Sequence, residues 1–79
     1  MSDDATFEKF RKCAVEVLQV PEDRIVPQAS FADDLNADSL DLVEFVMALE
    51  ETFGITVDET ELDGVDTVGQ AYELVVSKL

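Results

Sequence analysis

The feature that most constrains the fold of this chain is a run of apolar residues at helical spacing, bracketed by Asp38 and Gly54. Aspartate is a favoured residue before the first turn of a helix, and glycine is the residue most often found just after the last. With the periodicity, the two residues predict an α-helix over residues 39–53. Its apolar side chains form two stripes: Leu42, Val46, Leu49 and Phe53, widened by Phe45, and a second one of Leu40, Val43 and Met47.

Two apolar stripes provide more apolar surface than one core contact requires. We expect the first stripe to face the core and the second to be exposed. Asp41, Glu44 and Glu51 share a helix face that adjoins the second stripe. Such a run of charges usually marks a solvated face, but carboxylates around exposed apolar residues also suit a docking surface for basic partners.

Three further helices are predicted on either side of this one. The first is carried by an amphipathic pattern of Phe7, Phe10, Ala14, Val17 and Leu18, with Ser2, Asp3 and Asp4 at its start and Pro21 beyond its end. Asp58 and Glu61 have the spacing of a capping box for a short helix that ends near Gly64. Thr67 and Gln70 repeat this spacing before the last helix. The predicted fold is all-α, a small four-helix bundle with three longer helices and one short third helix.

A long first loop, residues 20–37, separates the first two helices. Its residues follow no helical or strand period, and prolines and polar turn residues interrupt it. Four apolar residues appear singly within it, and we expect them to pin it to the core: Ile25, Val26, Phe31 and Leu35. Loops of this length inside a compact domain are usually functional.

Composition excludes several classes of function. The chain has 79 residues, which predicts a single domain over residues 1–79, and its net charge of −14 argues against nucleic acid as a partner. It has no histidine, so Ser-His-Asp and Cys-His catalysis are excluded and a non-enzymatic domain is expected. No apolar stretch is long enough to span a membrane, and the acidic first residues do not resemble a secretion signal or a transit peptide, so a cytoplasmic location is expected. Cys13 is then expected to be a reduced thiol on a helix, and the protein to be a monomer.

The acidic residues do not predict a dedicated metal site. Asp34, Asn36 and Asp38 match the first ligand positions of a calcium-binding loop, but Ser39 stands where glycine is needed and Phe45 where the bidentate glutamate is needed. A second near match that begins at Glu59 also lacks this glutamate. We expect no metal ligands in this chain.

Ser39 is predicted at the positive end of the second helix, flanked by acidic residues. No histidine is present to activate it as a nucleophile. Backbone N–H groups at a helix start do, however, accommodate an attached phosphate. From these residues alone, Ser39 is either a site modified by another enzyme or simply a capping serine.

At this point the sequence resembles a known family. Residues 34–44, DLNADSLDLVE, look like the phosphopantetheine-attachment motif of acyl carrier proteins, and residues 46–51, VMALEE, are similar to the rest of their recognition helix. The resemblance extends over nearly the whole chain and points to a discrete, type II carrier. It implies that Ser39 carries a 4′-phosphopantetheine arm, transferred from coenzyme A by a separate transferase, and that acyl groups ride on the arm as thioesters.

The resemblance also implies a set of partners. These are a phosphopantetheinyl transferase, ketoacyl synthases, reductases and acyltransferases, all with basic docking patches. The partner surface carried over from the family comprises Asp38, Leu40, Asp41, Val43, Glu44, Met47, Glu51 and Glu59. A pocket for the acyl chain is expected between the second and third helices, lined by Leu42, Val46, Leu49, Leu62 and Val65.

Two residues depart from the family pattern. Asn36 stands where glycine is usual, although asparagine also tolerates a left-handed backbone. Val57 lies where many members have isoleucine followed by proline, which predicts a less rigid start of the third helix. The leading interpretation is a carrier for fatty-acid synthesis. The alternatives are a carrier for a polyketide, modified-lipid or peptide pathway, or an acidic protein-interaction module in which Ser39 is only a cap.

Overall fold

The computed structural model describes residues 2–79, with the side chains of all of them except residues 2–4 and Glu59. It contains four α-helices: α1, Ser2–Leu18; α2, Ser39–Phe53; α3, Glu59–Leu62; and α4, Val68–Lys78. Within the described residues there is no β-strand, and a single isolated antiparallel bridge joins Ser30 to Thr67. The predicted all-α fold with one short third helix is confirmed. The predicted capping side chains Ser2, Asp3 and Asp4 lie outside the described ones.

The helix ends follow the local chemistry of the sequence. α2 begins after Asp38 and ends before Gly54, whose φ of 66° is the left-handed value that glycine adopts without strain. Thr67 and Gln70 form the predicted capping box of α4, since the Gln70 N–H donates to the Thr67 hydroxyl and Gln70 Oε1 accepts from the Thr67 N–H. α3 ends at Leu62, two residues earlier than expected, because the chain turns there and the Val65 N–H donates to the Leu62 carbonyl.

The core is built around aromatic rings contributed by three helices and the first loop. The fully buried Phe10 of α1 meets Phe45 of α2 edge-on at 5.2 Å between ring centroids, and Tyr72 of α4 at 5.4 Å. Phe31 from the loop packs against Phe45 at 5.8 Å. Such pairs add about 0.5–1.5 kcal/mol beyond the apolar area they bury. The loop is therefore part of the core.

Three of the four predicted loop anchors, Ile25, Phe31 and Leu35, are buried. The prediction for Val26 is wrong, because its side chain is 42% exposed. Val26 directly follows a tight turn at Ile25, closed by its own N–H donating to the Arg24 carbonyl at 3.1 Å; this turn buries Ile25 and leaves Val26 at the surface. The loop also contains a short 3-10 turn, Glu22–Arg24, that the sequence pattern did not predict.

The loop is fastened to the start of α4 through the backbone. The Val68 and Gly69 N–H groups donate to the carbonyls of Ala29 and Pro27 at 2.9 and 3.0 Å. These two donors belong to the first turn of α4, where no helical partner exists for them. A Cβ atom on Gly69 would lie 3.0 Å from the Pro27 carbonyl oxygen, so a larger residue there would have to displace the loop backbone by a few tenths of an ångström. The first loop is thereby held against the start of α4.

Candidate functional site

Ser39 is the first residue of α2, and its side chain is exposed. The preceding Asp38 has an extended backbone and is the N-cap. Its carboxylate accepts from the Asp41 N–H at 2.9 Å, and the Asp41 carboxylate accepts from the Asp38 N–H at 3.3 Å. The N–H groups of Ser39 and Leu40 remain as first-turn donors without a partner among the described residues. The site thus joins an accessible hydroxyl to two free N–H groups at the positive end of a helix.

The turn before Ser39 is shaped by Asn36. Its φ of 54° lies in the left-handed region, so asparagine supplies there the backbone conformation expected of it. The Ala37 N–H donates to the Phe31 carbonyl at 2.8 Å, which closes the turn onto the buried Phe31. Ser39 is therefore presented by a loop segment that is itself fixed to the core.

A groove of about 470 Å³ opens beside Ser39. Its walls come from the first loop, the start of α2 and the segment that follows α3. The lining residues are Ser30, Phe31, Ala32, Asp33, Ala37, Asp38, Ser39, Leu42, Val65 and Asp66. Phe31, Ala37 and the backbone around Ser30 were not predicted to line a site. The single apolar residues of the loop are the available signal, but their pattern predicts core contact alone.

Of the five residues predicted to line an acyl pocket, Leu42 and Val65 lie on this groove. Leu49 is buried with the aromatic core, because it lies two turns further along α2 beside Phe45 and Phe10. Val46 is buried too, but it is not a member of that core cluster, and Leu62 is half-buried. The pocket itself remains a prediction.

The second apolar stripe of α2 is exposed. The side chains of Leu40, Val43 and Met47 are 65%, 40% and 55% accessible. Glu44 and Glu51 are exposed beside them. This surface, which we call the α2 face, is formed by these five residues, and no described residue of the chain covers it.

The remaining predicted partner residues differ in their surroundings. Asp38 is exposed and Asp41 is half-buried, and both carboxylates are engaged in the helix cap. The side chain of Glu59 lies outside the described ones. Both aspartates therefore have a structural role in the helix cap, and their part in binding a partner stays a prediction.

Charge is distributed unevenly in the structure. Arg11 of α1 contacts Glu8 and Glu22 at 3.8 and 3.3 Å, and Lys78 of α4 contacts Glu61 of α3 at 2.9 Å. The pKa of Glu61 is lowered because its carboxylate accepts the Asp58 N–H and pairs with Lys78.

Within the described residues, no three acidic or cysteine side chains come together as metal ligands, and no helix is long and apolar enough to cross a membrane.

Comparison with known proteins identifies the kind of site this is. A family model described as a phosphopantetheine attachment site matches residues 8–75, so the class is a phosphopantetheine-binding domain. The acyl carrier protein of Petrotoga mobilis is 46% identical over 79 residues, covering all of this chain and 93% of that protein. The acyl carrier protein of Thermosynechococcus vestitus is 40% identical, covering all of this chain and 98% of that protein. The chain belongs to the acyl carrier protein family.

The protein is accordingly a carrier and not an enzyme, and it bears covalently attached 4′-phosphopantetheine. The residues around Ser39 fit this group. An exposed hydroxyl is available for the phosphodiester, two free N–H groups suit its anionic oxygens, and the groove has room for an extended chain.

Proposed function

We propose that Ser39 is the attachment residue and that the protein carries acyl groups for fatty-acid synthesis. The observation that carries the proposal is the exposed Ser39 hydroxyl at the start of α2, next to two free N–H groups and the groove. Once attached, the arm supplies a terminal thiol on which an acyl group is held as a thioester.

The chain's own residues prepare Ser39 without activating it. Asp38 and Asp41 are the nearest acidic residues in sequence, and their carboxylates already accept backbone N–H groups. No histidine is present to take the serine proton. The base for attachment is therefore supplied by the transferase, and this chain contributes orientation and a favourable helix end for the phosphodiester anion.

The α2 face is proposed as the surface that transferases and fatty-acid-synthesis enzymes bind. Its carboxylates attract basic patches over long range, and its exposed apolar side chains supply area to bury on contact. It adjoins Ser39, so a partner bound there is close to the arm. Asp38 and Asp41 extend this surface toward the attachment residue.

The groove is proposed to shelter the acyl chain. Leu42 and Val65 line it, and the buried Val46 lies one turn beyond Leu42 on α2, outside the aromatic core. A chain that enters past Leu42 toward Val46 gains contact with apolar side chains without disturbing the Phe10–Phe45 packing. Leu49 and Leu62 would then border its far end.

Attachment is tested by intact mass after incubation with coenzyme A and a phosphopantetheinyl transferase. The expected result is one added phosphopantetheine, which Ser39→Ala abolishes. Ser77→Ala is the matched control, because Ser77 is also an exposed helical serine but its hydroxyl donates to the Leu74 carbonyl. Modification that persists in Ser39→Ala, with the helical circular dichroism unchanged, would refute the assignment.

The acidic α2 face supports the fatty-acid pathway, whereas the two relatives are named acyl carrier proteins without a pathway. The cytoplasmic location stays a prediction from the sequence. The acyl groups found on the protein isolated from its own cells would decide the pathway. A ladder of straight-chain saturated and 3-hydroxy acyl groups is expected, whereas aminoacyl or polyketide groups would refute this proposal.

A further inference from the structure

Lys78 is the one basic residue that follows Arg24 in the sequence, and many carboxylates lie between them. In the structure, Lys78 in the last turn of α4 pairs with Glu61 of α3, with 2.9 Å between Nζ and Oε1. The two side chains are 25% and 31% exposed, so the pair is partly shielded from water. This contact joins the short helix to the longer helix α4.

The segment 58–65, which contains α3, has few buried apolar side chains to hold it in place. Between Leu49 and Val68, no described side chain is fully buried. α3 itself has four residues, which is too few for an isolated helix to be stable. The placement of this segment therefore depends more on polar contacts than that of the other helices does.

Besides the backbone bond from the Phe31 N–H to the Asp66 carbonyl at 3.0 Å, three side-chain contacts hold the segment. At its start, the Val57 N–H donates to Glu50 Oε2 at 2.8 Å, and at its end the Asp66 N–H donates to Gln70 Oε1 at 2.7 Å. The third contact, Glu61–Lys78, reaches α3 itself. Glu61 uses its two oxygens for separate tasks, since Oε2 accepts the Asp58 N–H at 2.9 Å while Oε1 pairs with Lys78.

We propose that the Glu61–Lys78 ion pair is a latch that holds the segment 58–65 against α4 and sets how often this segment opens while the rest of the fold stays intact. The same Glu61 side chain caps α3 and ties it to α4, so the ion pair attaches a helix whose cap does not depend on that pair. Val65 lines the groove beside Ser39, so opening of the segment widens the groove. This consequence rests on the proposed function, whereas the latch itself is measured on the protein without its arm.

Native-state hydrogen exchange tests the latch on the full chain. Lys78→Met and Glu61→Gln are expected to speed exchange of the amides in residues 58–65 by roughly two- to fivefold, the range typical of exposed to half-exposed ion pairs. Glutamine keeps an oxygen that accepts the Asp58 N–H, so Glu61→Gln removes the pair and retains the cap. Amides of α1 and α2 should exchange unchanged.

Three further variants separate the latch from other effects of charge. Lys12→Met makes the same charge change at an exposed α1 site where no described acidic side chain pairs with the lysine, and it should leave residues 58–65 unaffected. Lys78→Arg should restore slow exchange, and the double variant should be no faster than either single one, because both remove the same interaction. Equal effects of Lys78→Met and Lys12→Met, additive effects in the double variant, or faster exchange throughout α1 and α2 would each overturn the proposal.

Discussion

The carboxylates of Asp38 and Asp41 each accept the backbone N–H of the other residue at the start of α2. This reciprocal cap satisfies the N–H groups of Asp38 and Asp41, whereas those of Ser39 and Leu40 have no partner in the part of the chain that the structure describes. The same two carboxylates place negative charge close to Ser39, the proposed attachment residue. The cap therefore fixes the geometry of the site and contributes to the acidity of the surface around it.

The cap makes a direct prediction about stability. Asp38→Ala removes the side-chain acceptor and should lower the free energy of unfolding by about 1 kcal/mol, as at other helix N-caps. For a domain of this size the melting temperature should fall by about 4–8 °C. Asp38→Asn retains a side-chain acceptor and should lower the free energy of unfolding by less than Asp38→Ala does. Urea and thermal denaturation of the three proteins test this, and equal losses for alanine and asparagine would contradict it.

The carboxylates of the α2 face should act mainly on the rate of encounter. Glu44→Lys is expected to slow association with a basic transferase or synthase several-fold at low salt and to flatten the salt dependence of the association rate. Glu16→Lys makes the same charge change at an exposed position of α1. If both variants slow association equally in stopped-flow measurements at two salt concentrations, net charge rather than the α2 face is recognised.

The apolar residues of the α2 face should act mainly on the lifetime of the complex. Truncating Met47 or Val43 to alanine removes exposed side-chain area that a partner would cover. We expect dissociation about fivefold faster for each, equivalent to about 1 kcal/mol, with little change in association. Surface plasmon resonance against one partner enzyme measures both rates, with Val76→Ala on α4 as the control. An equal effect of Val76→Ala would argue against the assigned surface.

A sheltered acyl chain should stabilise the protein in proportion to its length. Each methylene buried in the groove contributes up to about 0.8 kcal/mol, so the melting temperature of the loaded protein should rise with chain length until the space is filled. Val65→Thr adds a hydroxyl to the groove wall at nearly constant volume and should weaken this trend. Val76→Thr, at an exposed site on α4, should not. A melting temperature independent of chain length would show that the chain stays in solvent.

The lowered pKa of Glu61 predicts a specific pH dependence. Its ordinary value is 4.5, and the Asp58 N–H and Lys78 lower it in the folded protein. Ionised Glu61 therefore favours the fold above the unfolded pKa, and this contribution disappears as the pH falls through the folded pKa. The stability difference between the wild type and Glu61→Gln, from urea denaturation, should be constant from pH 7 to 6 and shrink below about pH 4.5. A difference that persists at pH 3 would contradict this account.

Helix ends were the most predictable part of the fold, because their chemistry is local. Asp38 and Gly54 delimit α2 at the predicted residues, and Thr67 with Gln70 starts α4 as expected. The exposure of Leu40, Val43 and Met47 also follows from the sequence, since a helix has only one side on which to meet a core. Each of these features depends on residues no more than a few positions apart.

Features that join distant segments were not predictable in the same way. Nothing in the sequence selects Glu61 as the partner of Lys78 among so many carboxylates, or Glu50 as the acceptor for the Val57 N–H. The lower rigidity expected at the start of α3 without a proline stays a prediction, and the Glu50 side chain contacts the backbone there. Phe31 was predicted to be an anchor, and its second role as a groove wall depends on how the loop meets α4.

Cys13 is 8% exposed, and its sulfur lies 3.2 Å from the Thr52 hydroxyl oxygen. It is also the single cysteine of the chain. A protein that carries thioesters benefits from having no reactive sulfur of its own at the surface, because such a thiol would exchange with the cargo or form mixed disulfides. Burial keeps Cys13 out of this chemistry. Thiol reagents such as maleimides should consequently label the arm of the folded protein selectively, without replacement of the native cysteine.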